Sequence, residues 1–508
     1  MNINIKKISI IAIISFIILS VAADPNKNKT MEIDGLPISN IAPNSVVTVQ
    51  AAMESLNTGR WSIANRVFST ITQSNPEAPI GWIGQSKSAA SLEEVNFALN
   101  KAKELMKGAT AAEKQFVELQ VAYLAGDSQK QMTITKQMIA DFPKSTLAWI
   151  ERGYVLERHK KVNEARVAFS NARKVAPFKI ASYIASGDSY LFSEPKDMLK
   201  AQKYFEKAVN IQPTNVWAHI KLGDSHRAQQ NLEQAYQDYT RASLLDPNDT
   251  IAISKRGHVN SFLGNYEQAR QDFDKAIKVS SNFSADFNNS GNFKAFTHLY
   301  SDNPKQALEM LEQHLLNIET APLKIHDKNQ ARVNTLTNMS KIALHTKLLD
   351  KADKYITERE NLVSTVLTSM DNKDLIRRIR SDLHFYRGQL QAREGQIETA
   401  LQSADKMRLL LESVKDERKL EDYHELQALV SIQKEQWGQA LAHYDKANTD
   451  KLYVKFHKAV ALEQTNQTKQ AKKLFTEVAQ YNFNSVDFAL LRNSAADKIS
   501  INIVASLD

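Results

Sequence analysis

One set of residues returns every 34 positions or so through the middle of this 508-residue chain. Small residues recur at Ala165, Ala201, Ala235 and Ala269, aromatics four later at Phe169, Phe205, Tyr239 and Phe273, and Ala172, Ala208, Ala242 and Ala276 three after those. Pro177, Pro213 and Pro247 follow, and Gly153, Gly187, Gly223, Gly257 and Gly291 mark the preceding segment at spacings of 34, 36, 34 and 34. Neighbours on one helix face are three and four apart, so a period of this size marks stacked supersecondary units. Small residues let one helix lie close against the next, the aromatic fills the gap between them, and Pro ends the unit because it cannot continue a helix. The spacing of 36 has a local cause, since "LFSEPKDMLK" lengthens one turn by two residues.

The units are helical. Gly (15) and Pro (12) are far below their usual ~7% and ~5%, and Ala, Leu, Gln, Lys and Glu are good helix formers. Hydrophobic residues make up 43% of the chain, enough for a real core. A coiled coil needs unbroken heptads, which the regular Gly and Pro punctuation excludes.

The pattern resembles the tetratricopeptide-repeat family, and exported bacterial members in particular. The resemblance implies an all-α fold, an α-solenoid (right-handed superhelix) of stacked antiparallel helix pairs. "LGDSHRAQQNLEQAYQDYTRASLLDPND" is the clearest copy, with "TLAWIERGYVLERHKKVNEARVAFSNARKVAPF" and "TIAISKRGHVNSFLGNYEQARQDFDKAIKVSSN" beside it. Upstream, Ala64, Phe68 and Pro76 fit the same frame; residues 79–111 are degenerate; downstream, three units read from Ala352, Ala400 and Ala440 recur at near-forty spacing, and a last unit has Ala471 and Phe475. About twelve units result. The expected organisation is a signal peptide (1–23), a polar N-terminal linker (24–44), a first array (45–319), a joint (320–332), a second array (333–484) and a capping helix with tail (485–508).

The signal peptide is read from "MNINIKKISIIAIISFIILSVAADP": Lys6 and Lys7, an apolar stretch from Ile8 to Val21, then Ser20-Val21-Ala22 as a small-residue cleavage pattern. The apolar run is shorter than the ~20 residues that span a bilayer, so cleavage and export to the periplasm or beyond are expected, with no integral membrane domain remaining. Cleavage takes the formal charge from +8 to +6. Without Cys, an exported chain has no disulfides and depends on packing alone.

No chemistry stands out. "LGNYEQ" lacks the residues of a phosphate loop, "HEL" at 424–426 has no second His in register, and the twelve His are scattered. Absent Cys removes soft-metal sites, so neither cofactor nor metal is expected. The basic runs "ERHKK" and "LIRRIR" read as charged helix faces and not as a nucleic-acid surface. The chain reads as a non-enzyme.

In the resembled family the second, fifth, ninth, twelfth and thirteenth positions of each unit face the concave groove. Carried over, these give Tyr154 and Arg158, then Asp188 and Phe192, then Trp217, Asp224 and Arg227, then His258 and Phe262, then Asn292 and Phe296. Aromatics beside directional polar groups suit an extended peptide, and a glycan is the alternative guest. The expected function is an exported scaffold for a protein or peptide partner in envelope assembly or secretion; the competing reading is a solenoid that binds glycans or small ligands.

Overall fold

The computed structural model describes residues 30–280 and 283–504; residues 1–23, read above as a signal peptide, lie outside the described residues. Twelve helix pairs follow one another. The first six are α1 (Val46–Asn57) with α2 (Trp61–Ser74), α3 (Pro79–Ser88) with α4 (Leu92–Glu104), α5 (Ala111–Ala125) with α6 (Ser128–Asp141), α7 (Thr146–Arg158) with α8 (Val162–Val175), α9 (Ile180–Phe192) with α10 (Met198–Ile211), and α11 (Val216–Ala228) with α12 (Leu232–Leu245). Then come α13 (Thr250–Phe262) with α14 (Tyr266–Val279), α15 (Ser284–Tyr300) with α16 (Pro304–Thr320), α17 (Ile325–His345) with α18 (Leu349–Leu367), α19 (Lys373–Arg393) with α20 (Ile397–Leu411), α21 (Glu421–Gln433) with α22 (Trp437–Tyr444), and α23 (Leu452–Gln464) with α24 (Thr468–Ala479). A last helix, α25 (Val486–Val504), has no partner of its own.

The recurring residues do what their spacing implies. Ala165, Phe169, Ala172, Ala235, Tyr239 and Ala242 are fully buried. The ring on the second helix lies flat against the bare Cα of the glycine on the first. A Cβ added to Gly153 would fall 2.2 Å from the Phe169 ring, and one on Gly223 would fall 2.7 Å from Tyr239. The same contact joins Gly187 to Phe205 and Gly257 to Phe273. In the eighth pair the slot over Gly291 is filled by His314, whose Nε2–H donates to Asn288 Oδ1 at 3.2 Å.

The turns repeat as well. In ten pairs the turn passes through a left-handed residue: Gly59, Gly126, Lys160, Gln230, Gly264, Asp302, Lys347, Gly395, Glu435 and Asn466. The next amide reaches back five residues, as in Asn231 N to His226 O at 2.9 Å and Gln396 N to Gln391 O at 2.8 Å, which is a Schellman closure. Between units, the carbonyl of the closing Pro accepts a side-chain hydrogen bond from six residues on: Trp82 to Pro76, Trp149 to Pro143, Tyr183 to Pro177 and His219 to Pro213, all at 2.8–3.0 Å.

Two boundaries differ from the sequence reading. Residues 31–38, placed in a polar linker, form an antiparallel hairpin of β1 (Met31–Ile33) and β2 (Leu36–Ile38), turning at Asp34-Gly35, both with positive φ. Ile33, Leu36 and Ile38 are buried; Asp34 Oδ2 accepts from Leu147 N at 2.8 Å, and Ser39 Oγ donates to the buried Glu113 at 2.6 Å. The joint at 320–332 is no interruption, because α17 starts at Ile325 and one apolar cluster runs through Leu308, Leu311, Leu336 and Met339.

The solenoid closes on itself. Arg60, in the first turn, pairs with Asp246 and Asp249 at 3.3 and 3.2 Å, six units along. Later units meet earlier ones in the same way: Ser91 hydrogen-bonds His326 at 2.7 Å, and Arg418 donates to Arg158 O at 3.2 Å. The final helix folds back. Phe488 packs edge-on against Phe262 (5.5 Å), Arg492 donates to Phe262 O (3.1 Å) and Asn493 to Tyr300 O (3.2 Å), so α25 covers α13 and α15 as well as following α24.

Even a methyl at the glycine contact should overpack the unit. Gly223→Ala is expected to cost ~1–3 kcal/mol, whereas Gly438→Ala, in a helix with nothing within 4 Å of the new Cβ, should stabilise by up to ~1 kcal/mol. Thermal melting followed by circular dichroism compares the two; equal shifts would contradict the contact. Acid should act at His314, whose imidazole burial holds at about 4, the Asn288 bond opposing only in part. Unfolding releases it to an ordinary ~6.5, so its stabilising share is complete above that pH and falls as pH drops towards 4. At pH 5 the loss is about 2 kcal/mol. The melting temperature of wild type should therefore drop more between pH 7 and 5 than that of His314→Phe.

Candidate functional site: a chamber inside the superhelix

The first helices of successive pairs form the inner wall, and the closure at Arg60 turns their groove into a chamber of about 890 Å3. Residues from α5, α7, α9, α11, α13 and α15 line it, including Phe116, Tyr154, Ile184, Trp217, Ile251 and Phe293. The turn at Thr58-Gly59 closes one side, with Gly59 against the Trp217 ring, where a Cβ would fall at 2.6 Å. Phe483 and Asn484, between α24 and α25, close another.

The wall carries charge in internally paired form. Lys221 Nζ donates to both oxygens of Asp188 at 2.9 Å, and Lys255 Nζ to both of Asp224 at 2.8 and 3.1 Å. Asp224 also accepts from Arg227 at 3.0 Å and from the Tyr239 hydroxyl at 2.7 Å. Lys87 pairs with Glu151. Burial alone would raise the Asp224 carboxyl, but Lys255, Arg227 and Lys221 together hold it well below the usual carboxylate range. Burial pushes Lys255 down to about 8 against the pull of Asp224. His258 is held well below its ordinary value by burial and by Arg227 and Lys255, and so stays neutral. Its Nδ1 accepts from Arg227 at 3.3 Å, which leaves the proton on Nε2. Asp188 is raised by burial, with Lys221 opposing.

Of the residues the sequence assigns to the groove, Tyr154, Arg158, Asp188, Trp217, Arg227 and His258 line the chamber. Phe192 stands at its rim, 41% exposed, with its ring 5.0 Å from Phe483. The other four are not free surface. Asp224 is buried behind its cations. Phe262 and Phe296 belong to the apolar cluster that α25 completes. Asn292 is buried, donating to Thr335 Oγ1 at 3.2 Å and accepting from Asn338 at 2.9 Å. The cause is common to the two aromatics and Asn292: α17 and α25 fill this end of the groove.

The sequence reading missed Glu151, Lys221, Lys255 and Asn289, which share one register position and all line the chamber. Each follows directly on a fifth-position residue, so a wider inward arc of the helix would have found them. Phe483 carried no signal, since the chamber-lining residues on the other helices lie about 190 to 430 positions before it.

The sequence model of the tetratricopeptide repeat matches residues 182–215 and 252–283, the fifth and seventh pairs. A human protein, tetratricopeptide repeat protein 6, is 32% identical over 88 residues, 16% of this chain and 17% of that protein, so the chain spans about a sixth of this curated relative. Among solved structures, yeast Tom70 is 15% identical with a TM-score of 0.43, covering 84% of this chain and 89% of its own. YrrB, described as a TPR protein with an unusual peptide-binding site, is 20% identical with a TM-score of 0.26, covering 36% of this chain and 90% of its own. Residues 182–215 and 252–283 are thus tetratricopeptide repeats, set within a stack of twelve helix pairs of the same build.

Proposed function

We propose that the chain is a non-catalytic scaffold that holds an extended segment of a protein partner in its chamber, and that it works outside the cytoplasm, in envelope assembly or secretion. The observation that carries the binding reading is the chamber itself. At about 890 Å3 it is within the ~300–1,000 Å3 range of ligand sites, and it sets Tyr154, Trp217, Phe293 and Phe116 beside directional polar groups. Support for a scaffold comes from the fold, since the described residues are almost wholly repeat helices. Export rests on the sequence of residues 1–23; among the described residues no helix is long and apolar enough to cross a membrane.

Sequencing the N-terminus of the mature protein should give a start near Ala23 or Asp24. A protein that keeps Met1 and stays in the cytoplasm would remove the export reading and leave the chamber untouched.

The binding reading is tested on two aromatics of the chamber wall that also pack in the core, so melting is compared before binding. Tyr154→Ala with Trp217→Ala should weaken capture of the partner from envelope extract by tenfold or more, the range of aromatic anchors, with helix content retained. A folded double variant that captures the same protein at wild-type affinity would place the site elsewhere. Recovery of carbohydrate in place of protein would replace the peptide reading by the glycan one.

A further inference from the structure

The chamber has one wall unlike the others. Residues 481–485 have no regular secondary structure, and they run past the ends of α9, α11 and α15 between the last two helices. Phe483 is only half-buried, yet it is surrounded as a bound side chain would be. Its ring lies 5.0 Å from Phe192, the Arg227 guanidinium stands over it at 4.4 Å, and Lys255 Nζ is 6.0 Å away. The flanking carboxamides are held by polar contacts. Asn482 Nδ2 donates to Gln230 Oε1 at 2.8 Å and to Arg227 O at 3.4 Å, Gln230 Nε2 donates to Gln480 O at 2.7 Å, and the Tyr300 hydroxyl donates to Asn484 Oδ1 at 2.7 Å. The helix that follows is different in kind: Phe488, Leu491 and Ala495 are fully buried in the main cluster and anchor it. Asn482 is buried and Tyr481 lies 5.9 Å from Phe488, so the half-buried Phe483 and Asn484 are the residues of the segment freest to leave their seat.

We infer that residues 481–484 occupy in cis a seat for an aromatic side chain of the partner, and that the partner enters by displacing them. The inference rests on the chamber being the binding site. It specifies the guest: an extended segment whose Phe or Tyr is flanked by Asn or Gln, matching the ring between Arg227 and Phe192 and the amide contacts at Gln230. It also specifies a threshold. A segment tethered at both ends competes at an effective concentration on the order of millimolar, so a short free peptide of the same sequence is excluded from the wild-type chain.

The probe is a fluorescent peptide with the sequence of residues 480–485, titrated into the full chain. Asn482→Ala with Phe483→Ala should bind it at least tenfold more tightly than wild type, with unchanged helix content. Equal binding to both, or none to the folded variant, would overturn the inference. A second arm serves if that variant loses its fold. The native chain has no Cys, so Gln230→Cys with Asn482→Cys can be joined by a disulfide or a short crosslinker and compared with its own open form. Both forms lack the Gln230 amide alike, so the open form should take the peptide more tightly than the joined form; the same affinity in both refutes displacement. Neither arm needs the natural partner. Peptide binding to the opened chain without any captured protein would count against the scaffold reading alone.

Discussion

The architecture hangs on one small contact: an aromatic ring of the second helix laid on a glycine of the first. Because Gly153 and Gly223 carry no side chain, Phe169 and Tyr239 can approach to distances that no Cβ would allow, and the two helices of a pair are drawn together at a fixed angle. The contact recurs in the fourth to seventh pairs, ten of the twelve turns share a left-handed position, and the stack curves until the turn after the sixth pair meets the first, where Arg60 pairs with Asp246 and Asp249. A chamber is the geometric consequence. It exists because identical local contacts accumulate, and not because any one residue encloses it.

Closure also answers a local need of the helices. The last carbonyls of a helix have no partner within it, and they carry the negative end of its dipole. On the first helices of four pairs, donors from the far end of the chain reach them: Arg418 to Arg158 O, Asn482 to Arg227 O, Arg492 to Phe262 O and Asn493 to Tyr300 O. The second half of the solenoid thus caps the first. That is why α25 folds back across α13 and α15 and does not simply shield the end of the array.

The sequence shows clearly what is local and periodic. The helix pairs, the small and aromatic register and the turn lengthened at "LFSEPKDMLK" could all be read from it, because each depends on residues within one unit. The hairpin at 31–38 was readable too: Asp34-Gly35 between Ile33 and Leu36 is a strong two-residue turn signal, hidden by the polar residues around it. The register placed Tyr154, Asp188, Trp217 and His258 correctly on the inner wall. It could not tell that Phe262, Asn292 and Phe296 are covered, since their cover comes from residues 43 to about 230 positions away. Periodicity gives the direction of a side chain; closure decides whether anything is left in front of it.

The same closure shapes what the chamber can accept. Three sets of its ionic groups are paired within the wall, Asp188 on Lys221, Asp224 on Lys255 and Arg227, and Glu151 on Lys87, while Arg158 stands over the Tyr123 ring with no carboxylate partner among the described residues. Away from Arg158, an acidic guest would have to draw a cation from one of these pairs, and breaking a buried pair by removing one partner costs ~3–5 kcal/mol. A neutral guest meets no such penalty. It can lay an aromatic ring under Arg227 and find amide partners at Gln230 while every pair stays intact, as Phe483 and Asn482 do now. The paired charges therefore stiffen the wall, and a guest of the proposed kind would gain its affinity from ring faces and directed hydrogen bonds.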